Sequence, residues 1–313
     1  MSIHSIRIPL FAALLLAGTA WQAHAHGVAG ARVFISTLQF DDPAVADEAT
    51  LPTASWTRQP ASDSAGPSTQ LDVSASFSKR ITDRFGVSVA LGHSWLATGG
   101  DKRRNGWQNI ELGAKYQAYV NPEHEFMVSV GVNREFARTG TLAIGADTVS
   151  TTAPSISFGK GFGDLPIGDL RPLALTGQFG MAVSERGFKR FDDGTDNGGH
   201  ESRWIGGLSL QYSLAYLQSQ VKDYGLPTWL NNLTPLVEVA WSSPARGPST
   251  QPMQLLIAPG VAYSGDWYQV TAEVLIPANH ATGRNLGVIA EFHVFFDDIF
   301  PKSLGTPVAN WFR

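Results

Sequence analysis

Residues 85–95 read FGVSVALGHSW. Phe85, Val87, Val89, Leu91, His93 and Trp95 fall on one side of an extended chain, and Gly86, Ser88, Ala90, Gly92 and Ser94 on the other. Successive strand side chains point to opposite faces, so this two-residue period is that of a strand. A helix would place apolar residues at i, i+3, i+4 and i+7, which this stretch does not. Upstream, Leu71, Val73, Ala75 and Phe77 oppose Asp72, Ser74, Ser76 and Ser78. Downstream, Ile110, Leu112, Ala114 and Tyr116 oppose Asn109, Glu111, Gly113, Lys115 and Gln117, and Val128, Val130 and Val132 oppose Ser129, Gly131 and Asn133. The period returns at 155–162, 173–183, 204–214, 233–241, 255–263, 268–276 and 286–296. These runs have about the 9–11 residues that a tilted strand needs to cross a bilayer.

Alternation alone does not say which face is inside. Three features place the apolar face toward lipid. The apolar faces carry almost no charge, and several end in aromatics, at Trp95, Tyr116, Tyr212, Trp241, Tyr263 and Tyr268, as a girdle at a membrane interface does. The opposite faces are mostly Gly, Ser, Ala, Thr, Asn and Gln, and charged residues make up only 16% of the chain, against roughly 25% in a typical soluble domain. The connections also alternate in length: short at 82–84, 121–125 and 264–266, long and polar at 97–106, 137–150, 185–202 and 243–253. Short periplasmic turns and long outer loops are the outer-membrane pattern.

Residues 1–25 read as a secretory signal peptide: a short polar start, the apolar run IPLFAALLLAGTA at 8–20, and Ala23-His24-Ala25 as a small-x-small cleavage site. The chain beyond holds no apolar run of 18, which excludes an inner-membrane helical protein. Parity then predicts the first strand. If 82–84 is periplasmic, the strand from Leu71 starts outside the cell, so the chain crosses once before it, and RVFISTLQF at 32–40 is the predicted strand, with 41–69 a long outer loop. The expected architecture is all-β: a transmembrane antiparallel up-and-down β-barrel of about twelve strands over 26–296, with N- and C-termini periplasmic and a C-terminal periplasmic tail at 297–313. No energy-coupling plug domain is expected, since the region before Arg32 is too short to form one. The stretch at 217–224, before Gly225 and Pro227, is predicted to hold a helical turn.

The stretch FGKGFGDLP at 158–166, the His-Gly after the signal and the closing VFFDDIFP at 294–301 resemble proteobacterial outer-membrane β-barrel families of transporter-like and porin-like proteins, next to the group linked to uptake of aromatic compounds. The resemblance implies an outer-membrane barrel with no catalytic residue. Strands of such families commonly close the chain on an aromatic; here the aromatic close of a strand is Phe295-Phe296, and a further segment ends Trp311-Phe312-Arg313.

With apolar faces outward, the predicted lumen-lining positions are Asp72, Arg80, Glu111, Lys115, Glu135, Glu238, Glu273, Glu291 and His293. Acids outnumber bases there by six to two, leaving His293 aside. Rings of carboxylates concentrate cations, so one reading is an acid-lined pore for cations or hydroxyl-bearing solutes. The other is a narrow lumen in which these groups pair and fill the space, since isolated buried charge is very costly.

Other chemistries find less support. Cysteine is absent, which excludes thiol nucleophiles and zinc ribbons, and a net charge of −4 with no basic block gives no nucleic-acid footprint. His93 and Ser94 invite comparison with outer-membrane lipases, but neighbouring strand residues point apart. His24 and His26 lack further ligands for a metal site, and the glycine-rich stretch at 194–199 lacks the lysine and helix of a phosphate loop. Lys102, Arg103 and Arg104 on an outer loop suit a solvated loop or contact with lipopolysaccharide. The expected function is a passive channel or small-molecule uptake protein of the bacterial outer membrane, not an enzyme, with no cofactor, metal or nucleic acid. Its expected partners are outer-membrane lipid and lipopolysaccharide, the barrel-assembly machinery and a small-molecule solute. The alternatives are an outer-membrane lipid-modifying hydrolase and a soluble periplasmic β-protein that binds a small ligand.

Overall fold

The computed structural model describes residues 27–59, 66–99, 103–187, 189, 199–245 and 252–311. The expected signal peptide, His24, His26, Lys102, most of the 194–199 stretch and Phe312 lie outside the described residues.

A two-stranded hairpin, β1 (Gly27–Ala29) and β2 (Arg32–Phe34), precedes the barrel. The barrel strands follow: β3 (Glu48–Gln59), β4 (Ser68–Thr82), β5 (Phe85–Thr98), β6 (Arg104–Trp107), β7 (Ile110–Asn121), β8 (Phe126–Phe136) and β9 (Thr151–Gly161). They continue with β10 (Leu173–Ser184), β11 (Arg203–Tyr212), β12 (Leu233–Pro244), β13 (Gln254–Ser264), β14 (Tyr268–Pro277) and β15 (Gly287–Phe295). Within the barrel, each strand pairs antiparallel with its neighbours in sequence, except that β6 and β7 do not pair with each other. β6 and β7 both pair with β5 and serve as one strand interrupted at Gln108 and Asn109. β3 takes β15 on its free side, with Val288 opposite Trp56 and Phe295 opposite Glu48. The ring therefore closes as a twelve-stranded antiparallel barrel, which leaves no unpaired edge to face lipid.

The surface is inverted relative to a soluble protein. Leu71, Val87, Leu91, Trp95, Leu112, Val130, Ile156, Leu210 and Val274 are exposed, whereas Ser129, Ser157, Thr176, Ser209 and Thr271 are buried. An apolar band of this kind is stable only against lipid. This overturns the soluble alternative. At the end of the barrel bearing the tight turns after β4, β7 and β13, two longer connections fold locally. The one expected to hold a helical turn does so at Leu214–Tyr216 and Leu217–Val221, with a further turn at Thr228–Asn231.

The first crossing is β3, not 32–40. Arg32–Phe34 belongs to the hairpin, and 35–47 carries no helix or strand. The long outer loop expected at 41–69 is likewise replaced, because β3 runs through its middle. The segment 27–47 lies inside the barrel: its residues bond to β4, β7, β8, β9, β10, β11, β12 and β14, which together encircle the lumen. The lumen thus holds an inward-folded N-terminal insert of some twenty residues, where an open or side-chain-filled interior was expected.

Candidate functional site

The insert begins at the short-turn end. Gly30, at φ +65°, opens the two-residue turn of the hairpin. A Cβ there would stand 2.2 Å from the Pro122 carbonyl oxygen, so only glycine fits. Phe34 packs on Ala29, Met127 and Ala174. Arg32 is buried: its Nε donates to Glu125 Oε2 at 3.1 Å, its Nη1 to the Pro172 carbonyl at 3.0 Å, and its guanidinium lies 3.7 Å from the Tyr216 ring centroid. Tyr216 Oη donates to the other Glu125 oxygen at 2.7 Å. Burial, with that hydrogen bond adding, pushes the Tyr216 phenol up to about 12.

From Ile35 the insert climbs to mid-barrel and returns. Gln211 and Gln269 side chains take the place of a strand partner for the Ile35 and Ser36 backbone. Ile35 packs on Leu236 and Ala262. The tip is Gln39–Asp42. Phe40 lies over Gly207, where any side chain would collide with its ring: a Cβ would stand 2.1 Å from Cδ1. On the way back Ser129 donates to the Pro43 carbonyl, and Asp47 meets Lys79 Nζ at 2.5 Å and Arg80 Nε at 2.9 Å.

Most of the charged residues named from the sequence meet this insert. Glu238 Oε2 accepts from the Leu38 and Gln39 amides at 3.2 and 2.9 Å, and Glu273 Oε2 accepts from Gln39 Nε2 at 2.9 Å. Lys115 donates to Asp41 Oδ1 at 2.6 Å and to the Asp42 carbonyl at 2.7 Å. His293 bridges Glu48, at 3.0 Å, and Glu291, at 3.3 Å; Glu291 also accepts from Thr53. Arg80 sits at the short-turn end between Asp47 and Asp297. Asp72 and Glu135 stand apart: Asp72 accepts from Ser94, Gln70 and Gln108, and Glu135 from Asn109 at 2.7 Å. Glu111 has no hydrogen-bond or ion-pair partner among the described residues and lies directly opposite Glu135 in the β7–β8 register.

The insert leaves space on one side. A cavity of about 400 Å³ lies between Gln39–Asp42 and the wall of β3, β4, β5 and β7, with Thr50, Thr53, Ser74, Ser76, Ser78 and Ser88 on that wall. A second, of about 390 Å³, continues toward the long loops past Glu135 and Asp147; the two share Ser74, Ala90 and Glu111. Across the insert a third, of about 370 Å³, is lined by Phe40, Ile205 and Leu256 among others.

Comparison with protein-family profiles finds no match, and comparison with curated proteins finds none. Among solved structures, the chain is similar to an outer-membrane channel from Pseudomonas putida F1, with TM-score 0.58 and 9% identity over 84% of this chain and 100% of the other. The fold is that of an outer-membrane β-barrel. The NanC porin aligns at TM-score 0.48 with 9% identity over 78% of this chain and 99% of its own. The β-domain of the Bordetella autotransporter BrkA aligns at 0.48 with 13% identity over 80% and 99%. An outer-membrane barrel with an apolar exterior has its place in the bacterial outer membrane.

Ser94 and His93 are not brought together. Ser94 is buried against Asp72, while the His93 ring packs on the Trp95 and Trp107 rings, at centroid distances of 4.3 and 5.2 Å. The tail beyond β15 is anchored at the short-turn end: Lys79 donates to the Leu304 and Thr306 carbonyls, and Arg80 to that of Gly305. There Arg80 Nη2 lies 2.8 Å from Asp297 Oδ2 but off the hydrogen-bond direction, and both Asp297 oxygens are buried without a hydrogen bond. Burial pushes the Asp297 carboxyl up to about 8; Arg80 opposes the shift and Asp47 adds to it. Sequence reasoning missed Asp41, Asp42, Asp47 and Glu48, because the segment that carries them was expected on an outer loop.

Proposed function

We propose that the chain is a passive outer-membrane channel, with its short-turn end and both termini in the periplasm, for small cationic or neutral hydroxyl-bearing solutes. Solutes pass on the β3–β8 side of the insert, through the two cavities that meet at Glu111. Outer-membrane lipid surrounds the barrel, lipopolysaccharide meets its long loops, and the barrel-assembly machinery inserts it. The observation that carries the reading is Glu111 itself: an unpaired carboxylate on the shared wall of both cavities, opposite a second carboxylate. Like charges directly across a strand pair repel, and a passing cation relieves that repulsion. The basic side chains on these walls, Lys115 and His293, already lie within ion-pair distance of acids.

The test is the current of the refolded mature protein in a planar bilayer under a salt gradient. Discrete steps with a cation-shifted reversal potential support the proposal, and Glu111→Gln should move that potential toward zero. A silent barrel, or an unchanged potential in the variant, overturns it. The cavity of about 370 Å³ beside Phe40, Ile205 and Leu256 favours a second reading, uptake of an aromatic compound. Block of the current by a simple phenol, relieved by Ile205→Asn, supports that reading, and block unaffected by the substitution counts against it.

A further inference from the structure

The insert is held in two unlike ways. At the short-turn end its ties are well satisfied. Arg32 has the Glu125 carboxylate, the Pro172 carbonyl and the Tyr216 ring, and Asp47 has Lys79 and both the amide and guanidinium of Arg80. At mid-barrel the ties are incomplete. Glu238 and Glu273 are 0% and 3% exposed, yet each gives only Oε2 to the insert, and Oε1 of both is buried without a partner. Among the described residues no Lys, Arg or His pairs with either. The chain they hold has no helix or strand from 35 to 47. Burying a carboxylate with half of its acceptor capacity unused is unfavourable, and water reaching it removes that penalty.

We propose that residues 35–46 are a gate. The loop swings out of mid-barrel toward the short-turn end, about fixed anchors at Arg32 and Asp47, and in doing so joins the cavities on its two sides. Both anchors lie at that end, which sets the direction. Withdrawal breaks three hydrogen bonds to Glu238 and Glu273, the Lys115 pair and the Phe40–Gly207 contact. It also breaks the bonds of the Ile35, Ser36, Asp41 and Pro43 backbone to Gln211, Gln269, Gln178, Ser157 and Ser129. In return water reaches both carboxylates, and the loop regains conformational freedom. The proposal goes beyond the channel reading, since a fixed insert would also leave the β3–β8 passage.

The chain has no cysteine, so a disulfide can be placed cleanly between tip and wall. A Cβ at Gly207 would lie 2.6 Å from Phe40 Cγ, which brings the two Cβ atoms into the range of a disulfide. In Phe40→Cys/Gly207→Cys, oxidation should abolish the larger openings in a planar bilayer and reduction should restore them. Equal currents in the two forms overturn the gate. A second arm needs no current and so separates failure of the gate from failure of the channel reading. In Gln39→Cys, a folded barrel should react slowly with a thiol reagent too bulky for the cavities, offered at the short-turn end. Complete protection, with full reaction after denaturation, overturns the proposal as well.

Discussion

The Lys115 ammonium on β7 lies 2.6 Å from the Asp41 carboxylate at the tip of the insert, across 74 residues of sequence. This pair joins wall and insert at mid-barrel, and Asp42 adds a carbonyl acceptor at 2.7 Å. Lys115→Met leaves two neighbouring acids without their counter-charge. Removing one partner of such a buried pair costs roughly 3–5 kcal/mol, discounted here because the Asp41 side chain is 36% exposed. The expected result is a lower temperature for the heat-induced mobility shift on gels. Adding Asp41→Asn to the variant should recover part of the loss, and no recovery would show that the pair is not the cause.

Arg32→Ala strands Glu125 at the base of the insert. A buried carboxylate deprived of its partner costs about 3 kcal/mol or more. The hairpin should detach, and proteolysis near the N-terminus of the folded barrel should rise several-fold. Arg32→Lys should rescue little. One ammonium cannot reproduce a guanidinium that serves the carboxylate and a carbonyl while stacking on Tyr216.

Gly30→Val tests the turn of the hairpin. Its side chain would have to occupy space held by the Pro122 backbone, at a left-handed φ of +65°. A β-branched residue at such a φ is strongly disfavoured. We expect a loss of roughly 2–4 kcal/mol in hairpin docking, read by hydrogen exchange at Met127 and Val128, with the barrel ring itself still formed.

Asp297 makes the docking of the tail depend on pH. Its folded carboxyl is raised from 3.8 to about 8, so the folded state holds the proton more tightly than the unfolded chain. The stabilisation from this group is fully present below pH 4 and is lost as pH rises toward 8. Trypsin cleavage after Lys302 should therefore speed up from pH 5 to pH 8.5 in the parent protein, relative to Asp297→Asn at each pH. Parallel pH profiles would remove Asp297 as the cause.

The strands from Ser68 onward are legible because lipid and lumen impose opposite chemistries on alternate residues. β3 escapes that rule. Its pairing with both neighbours shifts register around Thr50–Thr53, which breaks the two-residue period where Leu51 and Pro52 fall. The segment 32–40 misleads for the converse reason: it looks extended and apolar, but Phe34, Leu38 and Phe40 alternate with Val33 and Ile35, so neither face is clean. A lipid-facing strand has one clean face, and that mixed pattern was the available signal. Charged positions such as Glu238 and Glu273 follow from alternation alone. Their partners do not, since Leu38 and Gln39 reach them only through a fold-back that no local pattern encodes.

The seam between β3 and β15 carries a consequence for biogenesis. Glu48 and His293, 245 residues apart, meet there, so the ring has no closing partner until the last strand has been made and exported. Loop-closure entropy must be overcome before so distant a contact gives anything back, which makes assembly slow and non-local in the sense of high contact order. A chain truncated before Gly287 has no route to a shorter ring with the same seam. It presents β3 as an open edge, and its fate is aggregation or degradation rather than a smaller pore.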